Sequence, residues 1–327
     1  MEPRIFIIIL NWNGREETIE CLRSVQRIDY ANYMVIVVDN ASTDGSPEAI
    51  ARQFPAVKLI KNKTNAGYDG GNNIGIREAL REGADAVLLL NNDTVVCREI
   101  LRAFSGAAAT LPRAGILGPR IYYFEEPEVF WWAGCRSTRS KTGWLSVYTQ
   151  EGKGETDHGQ YDEIRKIDGV IGCAMYIRRE VFEDSGFFDE RFFIYHEEYD
   201  FCNRAAAARW GSYFVPGAKV WHKVARSMGG ECSPPFCYLW TRNWLLLSRK
   251  YTSCVYWPLL YCAYLKESLW VYQGLMEKEQ PRAAEAALAG AWSAILNRFG
   301  PMGKLSPPRW LSRLAAWHYH KNAAHGN

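Results

Sequence analysis

No stretch of this sequence stays apolar for the ~20 residues that span a bilayer. The longest uncharged run, Tyr251 to Leu265, is interrupted by Pro258 and closed by Lys266-Glu267. Ile5 to Leu10 is apolar but too short for a signal-peptide core, and it runs straight into Asn11-Trp12-Asn13-Gly14. A buried strand is expected there, and a cytoplasmic protein. No CxxC pair occurs, and the nine cysteines are an odd number. Several sit in apolar patterns, where reduced Cys behaves as a small hydrophobe, so a reducing compartment without disulfides or structural zinc is expected. Charge of one sign is also scarce. The 39 basic and 36 acidic residues leave +3, too small an excess for a duplex-binding protein, so nucleic acid is not an expected partner. GxGxxG is missing after the first apolar run and GxxxxGKS/T is missing everywhere, which disfavours dinucleotide binding and P-loop chemistry.

What is present is a folded chain of ordinary composition. Its 327 residues are 48% hydrophobic and 23% charged, which excludes a mainly disordered chain, a collagen and a coiled coil. The length suits about two domains, or one α/β domain with an appendage. The first hundred residues alternate strand and helix. Arg4–Leu10, Met34–Val38, Val57–Ile60 and Ala86–Leu90 read as strands. Helices are expected over Arg15–Arg27, from N-caps at Ser42-Thr43-Asp44 to about Phe54, and, after the loop Asn62–Gly71, to about Arg81. Continuous apolar runs separated by helices indicate parallel strands buried on both faces. The expected fold is an α/β, doubly wound, mostly parallel sheet flanked by helices, with ligands beyond the carboxyl ends of its strands.

Polar residues collect at those ends: Asn11 and Asn13, then Asp39 and Asn40, then Asn65, Gly67 and Asn72, then Asn91-Asn92-Asp93. One Asn or Asp after a strand is usually a turn former or a helix cap. Four consecutive strands ending this way point to a shared polar crevice. Further on, Gly115–Tyr122 and Val170–Ile177 read as strands, Phe124–Tyr161 as an insertion or loop, and Arg178–Ser185 as a short helix. The segment Phe192 to Asp200 opens a helix to about Arg209, and Ser212–Val215 reads as an edge strand. From Arg242 to the end, eleven Lys and Arg stand against four Glu, with six tryptophans. Tyr261, Leu265, Leu269, Tyr272 and Met276 follow helical spacing. A packing appendage and a membrane-interface surface both fit this composition.

Two constellations carry chemistry. Asp93 can hold Mg²⁺ or Mn²⁺ against a diphosphate, because hard cations prefer oxygen ligands, and His222 could complete the site and favour Mn²⁺. Glu197-Glu198-x-Asp200 follows the aromatic run Phe192-Phe193-Ile194-Tyr195. Acids at a helix start interact favourably with its N-terminus, but a carboxylate beside apolar rings can also have a raised pKa and act as a general base.

The segments IIILNWNG, VIVVDNASTDGS, NAGYDGGNNIGI, VLLLNNDT, GCAMYIRREVFEDSGFFDERFFIYHEEYDFCNR and VWHK together resemble the family-2 inverting glycosyltransferases with a GT-A fold, in particular the bacterial rhamnosyltransferase-like branch. The resemblance covers residues 4 to 250. It implies a nucleotide-sugar donor, dTDP-rhamnose first and UDP-sugars next, with Mn or Mg as divalent cation. It also implies an acceptor hydroxyl on a glycan or lipid-linked saccharide of a cell-surface polysaccharide. By position, Asp39 resembles the residue that contacts base or ribose, and Asn11, Asn13, Asn40, Asn65, Gly67, Asn72 and Asn91 the surrounding nucleotide pocket. Asn91-Asn92-Asp93 occupies the DxD site with Asn in place of the first Asp, which leaves Asp93 as the main ligand, and His222 matches a metal-binding histidine. Glu198 matches the catalytic base, with Glu197 and Asp200 beside it. The implied division is a catalytic domain over 1–240, with a nucleotide-binding half 1–95 and an acceptor half 96–240, followed by a helical appendage over 241–327. The implied location is the cytoplasm, with peripheral contact at the inner membrane face as an option. A sugar nucleotidyltransferase would need a basic Gly-rich phosphate loop near the first strand, which is missing. A non-catalytic nucleotide- or glycan-binding module would keep the crevice without needing Glu198.

Overall fold

The computed structural model describes residues 2–139, 146–224, 232–303 and 306–325. The chain divides into two compact units. The first comprises Met1–Ser137, Tyr148–Asp189 and Glu198–Ser227, and the second Thr138–Val147, Glu190–Glu197 and Met228–Asn327.

The first unit begins with β1 (Ile5–Asn11), α1 (Arg15–Val25), β2 (Tyr33–Asp39), α2 (Ser46–Gln53), β3 (Lys58–Lys61), α3 (Gly67–Arg81) and β4 (Ala86–Asn91). β5 (Thr94–Val96), α4 (Ile100–Thr110), β6 (Ala114–Tyr123), β7 (Phe130–Trp132), β8 (Gly134–Arg139), β9 (Ser146–Glu151) and β10 (Arg165–Ile167) follow. β11 (Ala174–Arg178), α5 (Arg179–Ser185), α6 (Glu197–Ala207) and β12 (Gly211–His222) complete the series. Among the described residues the main sheet runs β10-β12-β6-β11-β4-β1-β2-β3, with β5 on β12 and β7 on β6. β1, β2, β3, β4, β6 and β12 point the same way, and β11 runs against them between β4 and β6. This is the expected mostly parallel α/β sheet. Ile5 to Ile9 are fully buried, as a strand covered on both faces requires.

Helix α3 lies close on the sheet because glycine faces it. A Cβ at Gly71 would come 2.3 Å from Leu10 Cδ1, and one at Gly75 2.5 Å from Ile8 Cγ2. The run read as a loop up to Gly71 is therefore already helical from Gly67.

Other expectations shift for physical reasons. α2 starts at Ser46 behind Gly45, whose φ of +76° takes the left-handed position, so Ser42-Thr43-Asp44 is not its N-cap. Asp44 Oδ1 instead accepts from the Ser46 N–H at 3.0 Å. Val170–Cys173 precedes β11 rather than belonging to it. Ser212–Val215 is part of the long interior strand β12, lying between β10 and β6, not an edge strand. Its register shifts between Val215 and Lys219, and this bulge accommodates Pro216 and lets the strand continue to His222. Phe124–Tyr161 is not a loop in its described part but holds β7, β8 and β9; residues 140–145 lie outside the described residues.

The second unit is helical: α7 (Pro234–Tyr251), α8 (Trp257–Glu277), α9 (Pro281–Ile295) and α10 (Arg309–His325). α7 runs across residues 240–241. Ser233 caps it, its Oγ accepting from the Phe236 N–H at 3.3 Å, with prolines in the first turn where no amide is needed. α9 is alanine-rich and packs tightly on α7. A Cβ at Gly290 would fall 2.2 Å from the Tyr238 carbonyl oxygen. The core stripe of α8 is Leu260, Tyr264, Ser268, Tyr272 and Leu275. Of the stripe expected from spacing, only Tyr272 is fully buried; Tyr261, Leu265, Leu269 and Met276 flank it.

Candidate functional site

Parallel pairing in register sets the polar residues side by side. Asn11 pairs with Asp39, and Leu10 with Asn91, so the carboxyl ends of β1, β2 and β4 lie side by side. Asn11, fully buried, organises them. Its Nδ2 donates to Asp39 Oδ1 at 2.7 Å, to Ser46 Oγ at 2.9 Å and to Ser42 Oγ at 3.0 Å. Its Oδ1 accepts from Thr18 Oγ1 at 2.7 Å, and that hydroxyl accepts from Asn92 Nδ2 at 2.9 Å. The other Asp39 oxygen accepts from the Ser42 N–H at 3.0 Å. A carboxylate has about four acceptor positions, so Asp39 keeps capacity for a ligand hydroxyl or N–H. Gly14 is required here, since a Cβ would meet Asn92 Nδ2 at 2.4 Å.

The remaining pocket residues serve the loops. Asn13, exposed and at φ +50°, accepts from the Thr43 N–H at 2.8 Å. Asn40 donates to the Gly67 carbonyl at 2.9 Å and accepts from Asn62 at 2.7 Å. Asn65 Oδ1 accepts from the Gly67 N–H at 2.8 Å, and Gly67 has φ +75°. Asn72 donates to the Tyr68 carbonyl at 3.0 Å inside α3. Asn91 is half-buried, and its backbone N–H donates to the Cys173 carbonyl at 2.9 Å.

Asp93 and His222 are 129 positions apart in sequence, and strand register brings them together. β5 pairs antiparallel with β12, His222 opposite Thr94, and the Lys223 N–H donates to the Asp93 carbonyl at 3.0 Å. His222 Nε2 lies 3.2 Å from Asp93 Oδ1, with both side chains buried. Trp131 sets its ring edge-on to the imidazole at 4.5 Å. Burial alone would disfavour the imidazolium, but the Asp93 carboxylate beside it reverses this and raises His222 above its ordinary value, a proton that a bound cation would have to displace. Burial would likewise raise the Asp93 carboxyl; the hydrogen bond from His222 and its charge hold it below the ordinary value. One carboxylate and one imidazole fit a divalent cation that takes its other ligands from substrate oxygens. Among the described residues no group of three or more His, Cys, Asp or Glu could hold a metal by itself.

Glu197, Glu198 and Asp200 occupy the first turn of α6, all buried. Asp200 accepts from Arg204 Nε at 2.9 Å, and Arg204 in turn donates to the Phe187 carbonyl at 2.7 Å and to that of Ser185. Asp200 therefore orients an arginine that closes the turn after α5. Glu198 is near enough to Tyr199 that burial first, and its carboxylate second, lift the phenol well above its ordinary value. The segment before α6 is strained. Phe193, Tyr195 and His196 have φ of +69°, +75° and +72°, a region that costs a non-glycine residue on the order of 1–3 kcal/mol.

Sequence reasoning missed Thr18, Ser42, Ser46 and Asn92 as members of the Asn11 network, and Cys173 beside His222. The SxxxS spacing of Ser42 and Ser46 was visible but indistinguishable from helix capping. Cys173 gave no signal.

Residues 6–186 match the family model described as glycosyl transferase family 2. The chain is 30% identical over 220 residues to an N-acetylglucosaminyl-diphospho-decaprenol L-rhamnosyltransferase of Mycobacterium tuberculosis, covering 60% of this chain and 68% of that protein. It is 24% identical over 257 residues to the dTDP-rhamnosyl transferase RfbF of Shigella flexneri, covering 76% of this chain and 81% of that one. The crystal structure of GalNAc-T7 with UDP, GalNAc and Mn²⁺ superposes with a TM-score of 0.58 at 17% identity, over 73% of this chain. The chain spans about half of that structure, 47%, and the likeness establishes the GT-A fold. With more than half of its residues within the matched range, the chain belongs to glycosyl transferase family 2.

Proposed function

We propose that this glycosyltransferase moves rhamnose from a nucleotide-sugar, dTDP-linked first and UDP-linked next, to a hydroxyl of a glycan or lipid-linked saccharide in cell-surface polysaccharide synthesis, inverting the anomeric carbon. The observation that supports the reading is the pairing of parallel strand ends that sets Asp39 beside Asn11, together with the return of His222 to Asp93 on β12. The two rhamnosyltransferase relatives supply the sugar.

Asp39 receives the hydroxyl or imide donors of the nucleoside, oriented by Asn11 and Ser42. Asp93 and His222 would hold a divalent cation, Mn²⁺ or Mg²⁺, which when bound neutralises charge on the leaving diphosphate. Glu198 takes the proton of the acceptor hydroxyl. That oxygen then bonds to the anomeric carbon as its bond to the diphosphate breaks, and the electron pair leaves with the nucleotide. Thermal stabilisation by a panel of nucleotide-sugars, with and without Mn²⁺, tests the donor assignment, because a ligand bound only by the native state raises its apparent stability. If no dTDP- or UDP-sugar stabilises the protein, the reading fails.

The surface of the second unit favours a peripheral membrane contact in addition. Trp270, Trp310 and Trp317 are 57%, 53% and 59% exposed, and Leu314 41%. Trp310, Leu314 and Trp317 share a face of α10, with Arg309 and Arg313 flanking it, and no acidic residue follows Glu285. Exposed tryptophan with arginine on one helix face suits an anionic interface. No described helix is long and apolar enough to cross a membrane. Flotation with anionic liposomes at low salt, lost at high salt, is expected; failure to float at low salt removes this contact from the reading.

A further inference from the structure

The strained segment before α6 is held from α7, within the second unit. Asn243, fully buried, directs Nδ2 at three carbonyls of one four-residue stretch: those of Phe192 at 2.9 Å, Ile194 at 2.8 Å and Tyr195 at 2.9 Å. Arg242, also fully buried, donates from Nε to Asn243 Oδ1 at 2.9 Å, which fixes the carboxamide with its nitrogen toward those carbonyls. Its Nη2 reaches the Phe192 carbonyl at 2.8 Å and its Nη1 the Gly300 carbonyl, while the Gly300 N–H donates to the Arg191 carbonyl at 2.9 Å.

Aromatic contacts fix the side chains of the same segment. Tyr195 meets Phe236 edge-on at 4.9 Å, and the His196 ring lies 4.3 Å from that of Trp240. Phe193, Ile194 and Tyr195 pack on Tyr238, Leu239, Ala286 and Ala289. The sequence Phe-Phe-Ile-Tyr-His contains no glycine, so nothing local favours the left-handed backbone. A strained conformation persists only where the surroundings over-determine it, and the surroundings here include an Arg-Asn pair and an aromatic seat. Burying a guanidinium carries a desolvation penalty that an apolar pair of similar volume would avoid, so mere packing gives no reason for Arg242.

We propose that Arg242 and Asn243 are positioning residues for glycosyl transfer: they hold Phe192–His196 in its strained form and so fix where α6 begins and where its Glu197-Glu198 carboxylates point. His196 is followed directly by Glu197, so no flexible link absorbs an error. A general base must lie within hydrogen-bond reach of its proton, and a misplacement of about 1 Å costs about 10²-fold in rate. The proposal rests on the reading of Glu198 as the base.

The test is a double-mutant cycle in the full chain, with dTDP-rhamnose and a lipid-linked N-acetylglucosamine diphosphate as probe substrates, alongside hydrogen exchange. Asn243→Ala should lower kcat about 30- to 100-fold, with dTDP-rhamnose affinity by calorimetry changed less than about twofold. Amides of residues 192–198 should exchange faster than in the wild type. In a Glu198→Gln background the same substitution should cost no further rate, because residues acting through one group are non-additive. Multiplying losses, or unchanged exchange over 192–198, would overturn the proposal. Near-normal turnover of Glu198→Gln alone would instead overturn the base assignment. Should Asn243→Ala not fold, Arg242→Lys keeps the charge but loses the fork, and the exchange arm alone then decides: no faster exchange over 192–198 refutes the clamp.

Discussion

At the strand ends, Asn11, Asp39 and Asn91 stand side by side because β1, β2 and β4 run parallel and in register; Phe193, Tyr195 and His196 stand where they do because α7 holds them there. The strand ends are well supplied with short polar side chains, and the left-handed positions around them fall mainly on residues that tolerate them, Asn13, Gly45 and Gly67, with Ala41 the exception. Losing one hydroxyl from the Asn11 network leaves the strands where they were. The segment before α6 has the opposite economy, with left-handed backbone on bulky side chains and an Arg-Asn pair at its root. Affinity for the donor should therefore respond gradually to substitution, and turnover abruptly.

Four experiments can break or sharpen that contrast. Glu198→Gln should give the largest effect, lowering turnover by roughly 10²–10⁴ while calorimetric donor affinity stays near wild type. Equal loss of affinity would mean that the two regions are not separate in function.

The second concerns pH. Burial pushes His196 down to about 4 from its ordinary 6.5. Between those values the unfolded chain takes a proton that the folded chain refuses, so stability should fall as pH drops from about 6.5 to about 4, by on the order of 3 kcal/mol in total. His196→Asn removes the titrating group and tolerates positive φ. Thermal melts at pH 7 and pH 5 should converge for that variant and diverge for the wild type.

Third, Gly290→Ala places a methyl against the Tyr238 carbonyl. It should lower stability by about 1–3 kcal/mol, read as a fall in Tm, without changing nucleotide affinity measured on the folded fraction. An effect of similar size is expected at the proposed cation pair. Asp93→Ala and His222→Ala should each weaken Mn²⁺-dependent donor binding about 10- to 100-fold, and Asp39→Ala should weaken binding with or without metal. Unchanged metal dependence in both variants would put the cation elsewhere.

The contrast also explains what the sequence disclosed. Strands β1 to β4 were legible because runs such as Ile-Phe-Ile-Ile-Ile-Leu cannot be solvated and are too short for a buried helix. Each was followed by Asn or Asp, so the line of polar residues at the strand ends was legible with them. β12 was harder. Pro216-Gly217 reads as a strand end, and only the partner strand β6 reveals a bulge that absorbs it. Arg242-Asn243 carried a faint signal, a polar pair inside the otherwise apolar Tyr-Leu-Trp-Thr-Arg-Asn-Trp-Leu-Leu-Leu. Arginine on a helix is usually solvated, and nothing local says that this one reaches backbone fifty residues earlier. Strain at Tyr195 and His196 was invisible, because it contradicts local preference and exists only with tertiary support.

The register between β5 and β12 has a consequence for the growing chain. A ribosome that has released residues up to Lys61 has delivered Asn11, Asp39 and the Ser42–Ser46 loop, the residues proposed for the nucleoside side of the site. Asp93 emerges soon after, but His222 is translated 129 residues later and meets Asp93 only when β12 has zipped along β6 and met β5. Nascent chains arrested before residue 222 should thus resemble a nucleoside binder indifferent to manganese. If the proposed cation binds between Asp93 and His222, metal sensitivity would report that the last strand has closed.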